Sequence, residues 1–105
     1  MEKQRELTDL GSIGDALRDA GERLAAAAGS LASASDADRD RLLSDIAVAR
    51  DDIANFERAL AEYLLHRVGG HYTQRTVAKL MNAGLSTVSR WSQQPIYFER
   101  IPTDD

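Results

Sequence analysis

Positions 63–98 form a run of 36 residues with no Asp or Glu, and they carry Arg67, Arg75, Lys79 and Arg90. Residues 1–62 are the reverse, with 14 acidic and 8 basic side chains. The whole-chain charge of −4 conceals this segregation. Positive charge gathered on one segment and cleared of carboxylates suits contact with a polyanion. Thr73, Gln74, Thr76, Ser86, Thr87, Ser89 and Gln93 lie among the cations and both donate and accept hydrogen bonds. Little else in the chain suits chemistry. Cysteine is absent, which excludes disulfides, thiolate metal sites and thiol nucleophiles. His66 and His71 stand five apart across a diglycine with no neighbouring carboxylate, so surface exposure or phosphate contact is expected of them, not metal binding. No Ser/His/Asp spacing or glycine-rich phosphate loop is present. The expectation is a binding protein, with no enzyme activity, cofactor or metal.

The elements that position these groups follow from local chemistry. Gly69-Gly70 is a helix stop. Thr73 is placed to cap a short helix with Val77, Ala78 and Met81 on its inner face. Asn82-Ala83-Gly84 is a turn, since Asn and Gly both tolerate the left-handed conformation. A second short helix begins near Leu85, with Val88 and Trp91 inward. Two short helices, a tight turn and a small residue, Ala78, facing a branched one, Val88, make a helix-turn-helix arrangement.

At these residues the chain resembles the helix-turn-helix unit of bacterial and phage DNA-binding regulators. That family runs Gln-x-x-x-Ala, then a glycine turn, then Ser-x-x-x-Val-Ser-Arg. Gln74 and Ala78 match, and Val88 follows Ala78 by ten residues as the family requires. Val77, Met81, Ala83, Val88 and Trp91 occupy its further inward positions, and Ser86–Trp91 is a near-literal match to many recognition helices. Asn82 stands where the turn glycine is usual, and Gly84 where a capping Ser is usual; the missing cap weakens the second helix by about 1 kcal/mol or less. The resemblance covers residues 73–91 and does not extend to the rest of the chain.

The resemblance implies that the helix at 85–93 enters the major groove of double-stranded DNA. Leu85, Ser86, Ser89, Arg90 and Gln93 would then face base edges, with Arg90 suited to guanine or phosphate and Leu85 to a thymine methyl. Thr73, Gln74 and Arg75, at the start of the preceding helix, and Lys79 and Thr87 would meet phosphates. Trp91 is expected in the core and not as a base-stacking group.

Two longer elements precede this segment. Leu10, Leu17, Leu24 and Leu31 recur every seven residues, with Ile13, Ala20 and Ala27 three residues after the first three. This is the a/d pattern of a helix lying along another helix. Four glycines weaken it, so it is expected to need its partner. Ser33, Ser35 and Asp36 break the chain and cap a second helix. There Leu42, Ile46, Ala49, Ile53, Phe56, Leu60, Tyr63 and Arg67 continue the alternation to Val68 without Gly or Pro. About 30 residues of helix extend roughly 45 Å. Leu43, Leu64 and Val68 widen the stripe and suggest self-association.

The expected fold is all-α. A long antiparallel helical hairpin, a coiled-coil-like arm at 1–68, pairs two copies; a helix-turn-helix head occupies 63–101, and 102–105 fray. Pro95 and Pro102 bracket Ile96–Ile101 as a short extended C-terminal tail covering the head's core. The N-terminal stretch lacks an apolar signal core and no segment is apolar enough for a membrane, so a cytoplasmic protein is expected. The function expected is a homodimeric transcriptional regulator, a repressor. Alternatives are a plasmid or phage DNA segregation protein binding repeated sites, or an antitoxin or adaptor whose acidic hairpin grips a protein partner.

Overall fold

The computed structural model describes residues 6–98, and among them the chain is all-helical with no strand. Four helices follow in order: α1 (Leu10–Gly29), α2 (Asp36–Tyr63), α3 (Gln74–Met81) and α4 (Leu85–Gln93). A π-helical turn, Leu64–Val68, continues α2. The chain divides into two compact units, Gly11–Glu57 and a second that includes residues 6–10 and 58–98. The division falls at 57/58, ahead of the position-63 head start read from the sequence.

In the first unit α1 buries Ile13, Ala16, Ala20 and Ala27. The heptad reading therefore needs a correction. The Ile13/Ala20/Ala27 line lies inside, but Leu17 and Leu24 are half-buried and Leu10 and Leu31 exposed. Ala16, outside the heptad pattern, is fully enclosed. Small side chains at the centre of the stripe permit close approach, which leaves the leucines at its edge. Ser35 caps α2 by accepting the Asp38 N–H at 3.3 Å, and Asp36 and Asp38 sit favourably in the first turn. Leu42 and Ala49 are buried and Ile46, Ile53 and Phe56 half-buried, following the expected alternation. Arg23 of α1 pairs with Asp52 of α2 at 2.8 Å. Leu43 and Val48 stand exposed, at 68% and 53%.

The second unit is built on the end of α2. Ala61, Val77, Ala78 and Val88 form its buried cluster, with Leu65, Tyr72, Met81, Ala83 and Trp91 packed against it. All five inward positions read from the motif belong to this core. The long helix does not stay α-helical to Val68 as expected. Its last five residues are π-wound, and the Gly69 N–H closes that turn on the Leu64 carbonyl at 2.8 Å. Gly69 and Gly70 have φ of +67° and +58°, and Gly69 with ψ of −146° lies in a region essentially restricted to glycine, so the diglycine is what lets the chain leave the helix this way.

The described part of the tail also departs from expectation. Residues 96–98 are bends, not an extended strand. The N–H groups of Ile96, Tyr97 and Phe98 all turn to one oxygen, Oε1 of Glu62, at 2.8, 2.8 and 3.2 Å. An extended chain alternates its N–H groups and cannot do this. Phe98 is nevertheless buried, edge-on to Tyr63 with ring centroids 5.2 Å apart. The expectations for 99–101 and for fraying at 102–105 lie outside the described residues.

Candidate nucleic-acid interface

Each end of α3 is set by one side chain. Thr73 has extended backbone, and its Oγ1 accepts the Thr76 N–H at 3.2 Å. Asn82 is left-handed, with φ 55° and ψ 42°, and its N–H reaches the carbonyls of Ala78 and Lys79. Asn is among the residues with a Cβ that tolerate this conformation, so the turn forms at small cost. Gly84 then begins α4 with no side-chain cap. Its carbonyl takes the N–H groups of Thr87 and Val88 at 3.1 and 3.2 Å.

Burial divides α4 cleanly. Val88 is enclosed and Trp91 is packed against the core. Leu85, Ser86, Arg90 and Gln93 are exposed and Ser89 is half-buried. Positions 85, 86, 89, 90 and 93 follow helical spacing, so these five groups share one face. Nearby, Arg75 and Lys79 are exposed on α3, Gln74 is half-buried at its first position, and Thr87 is half-buried on α4. The first N–H groups of α3 lack intrahelical partners, as at any helix start. Thr73 is less available than the sequence implied. It is exposed, but its hydroxyl caps Thr76 and also donates to the Thr76 hydroxyl at 3.0 Å.

The electrostatics separate one set of cations from another. Arg18, Arg23, Arg39, Arg41, Arg50 and Arg58 each pair with a carboxylate. Among the described residues Arg67, Arg75, Lys79 and Arg90 have no such partner. Three of these cations, Arg75, Lys79 and Arg90, lie on α3 and α4, and Arg67 lies in the π-turn. Leu85 and Leu80 add exposed apolar surface, at 46% and 67%.

The histidines divide. His71 is exposed, edge-on to Tyr72 at 5.3 Å. His66 lies half-buried in the π-turn, and its Nε2 has no hydrogen-bond partner, so it is not the surface group expected. Among the described residues no group of three or more His, Cys, Asp or Glu is placed to hold a metal ion.

Sequence reasoning missed Arg58 and Glu62. Glu62 is fully enclosed, and besides the three tail N–H groups its Oε2 accepts from Arg58 Nε at 2.9 Å. Arg58 Nη2 donates to the Gln94 carbonyl at 3.2 Å, and the guanidinium lies 5.4 Å from the centre of the Trp91 ring. A signal was present. Glu62 is the lone charge in the otherwise apolar stretch Ala59–Leu65, and a carboxylate in such a run is either an interruption or a buried partner.

Compared with protein-family models, characterised proteins and solved structures, the chain has no significant match.

Proposed function

We propose that this chain binds double-stranded DNA through a helix-turn-helix formed by α3 and α4, and acts as a transcriptional regulator, a repressor that occupies its site. The observation that carries this reading is the set of three unpaired cations on α3 and α4, Arg75, Lys79 and Arg90, in a chain whose described arginines ahead of residue 63 all pair with carboxylates. A surface evolved only for solubility has no need to strip acids from 36 successive positions.

In this reading α4 lies in the major groove. Arg90 pairs with guanine or phosphate, Ser86, Ser89 and Gln93 take further base or backbone contacts, and Leu85 covers a thymine methyl. Arg75, Lys79, Gln74 and Thr87 hold phosphates, and the free N–H groups at the start of α3 add to them. Thr73 contributes by capping that start.

The α1–α2 hairpin serves as the dimerisation arm. Exposed Leu43 and Val48 on α2, and the open groove between Ala26, Ala27, Leu42 and Val48, support a second copy as the partner. A two-fold dimer presents two α4 helices about 34 Å apart to a palindromic site. The acidic outer face of the arm is left for a protein partner. The role needs no catalysis and no cofactor, and it is performed in the cytoplasm. Among the described residues no helix is long and apolar enough to cross a membrane.

Selection of bound duplexes from a random pool tests the reading. Enrichment of a two-fold symmetric sequence is expected. Recovery of no preferred duplex, together with capture of a protein by the acidic arm, would instead favour the adaptor role.

A further inference from the structure

Glu62 and Arg58 lie on α2 outside the recognition surface, and apart from each other their partners are the last turn of α4 and the chain just beyond it. The Glu62 carboxylate is 0% exposed and collects the N–H groups of three successive residues, Ile96, Tyr97 and Phe98, on one oxygen. Arg58 completes the carboxylate from the other side, then reaches the carbonyl of Gln94, the residue that ends α4, and lies against Trp91 one turn earlier. A cation on the last carbonyls of a helix is favourable against its dipole. A charge this deep is retained only when fully paired, and this one is.

We propose that Arg58 and Glu62 are positioning residues for α4. They hold the chain immediately beyond it to the last turns of α2, and so fix the rotation at which α4 presents Ser86, Ser89 and Arg90. The proposal rests on the reading that α4 contacts DNA. The grip itself is testable without DNA. Val88 and Trp91 set how close α4 lies to the core, but two apolar contacts without a hydrogen bond leave small rotations about the helix axis free. The Arg58–Trp91 and Arg58–Gln94 contacts remove that freedom at one end, as the Gly84 turn does at the other.

Two variants of the full-length chain, Glu62→Gln and Arg58→Met, test it through three readouts. These are amide exchange at Ile96, Tyr97 and Phe98, emission from Trp91, which is the sole tryptophan, and affinity for a duplex recovered from a random pool. In Glu62→Gln the three amides should lose protection, Trp91 emission should shift to the red, and duplex affinity should fall on the order of tenfold. Circular dichroism should remain helical and the salt dependence of binding unchanged, because no phosphate contact is removed. Arg58→Met keeps the Glu62 acceptor. It should leave much of the amide protection while altering Trp91 emission and lowering duplex affinity, which keeps the idea open to refutation if Glu62→Gln does not fold. Unchanged Trp91 emission and duplex affinity in either folded variant overturns the proposal. If the parent chain binds no duplex while Trp91 and the amides of Ile96, Tyr97 and Phe98 still respond to Glu62→Gln, the DNA reading fails and the grip stands.

Discussion

Ala78 of α3 and Val88 of α4, ten residues apart, are enclosed in the same buried cluster, and the smallness of Ala78 lets the two helices approach. A larger side chain there has nowhere to go, since Val77 and Ala61 already fill the cluster. Ala78→Leu is expected to destabilise the chain by about 1–3 kcal/mol. Denaturant unfolding followed by circular dichroism measures this. A change near zero would show that the α3–α4 contact is looser than described.

Gly84 begins α4 without a side-chain cap, and a Cβ built there meets nothing nearer than 3.8 Å. Its backbone is extended, a conformation any residue adopts. Gly84→Ser should therefore raise stability, by about 0.5–1 kcal/mol from the added cap and the stiffer unfolded chain. Thermal unfolding should move upward by a few degrees. A lower midpoint would mean that the glycine is required for a reason that the packing around it does not reveal.

Arg75 and Lys79 have the exposure and the lack of carboxylate partners expected of phosphate contacts. Replacing either with Ala should weaken binding to specific and random duplexes alike. It should also lower the slope of log affinity against log salt by about 1. Titrations at several salt concentrations measure it. An unchanged slope would remove that residue from the interface.

Leu43 and Val48 are large apolar groups standing in solvent on α2. In the dimer reading they are covered by the second copy. Leu43→Glu with Val48→Glu should convert the full-length chain from dimer to monomer in sedimentation equilibrium, with helicity retained. A parent chain that sediments as a monomer would remove the half-site spacing argument.

The parts legible from sequence are those where a residue's type dictates its local role. Thr73 as a cap, Asn82 as the left-handed turn, the diglycine stop and the inward set Val77, Ala78, Met81, Ala83, Val88 and Trp91 all follow from short-range sterics and hydrogen bonding. What periodicity alone could not reveal was which of two adjacent stripes of α1 lies deepest. Leucines and alanines alternate there, and the alanines win the centre because backbones can then come closer. The π-turn at Leu64–Val68 has no sequence signature beyond the glycine that closes it. The Glu62 site was hidden for another reason. Its partners are backbone N–H groups 34 to 36 residues away, and backbone donors leave no mark in the residue types.

The central claim is that the outer face of α4 reads base pairs, and Arg90 is its longest exposed group. The direct measurement is the affinity of Arg90→Ala for the selected duplex and for a scrambled one at the same moderate salt. A loss of about 1–3 kcal/mol on the selected duplex is expected, with a smaller loss on the scrambled one and with relaxed preference at one base pair. Equal affinity of parent and variant for the selected duplex would contradict recognition by α4.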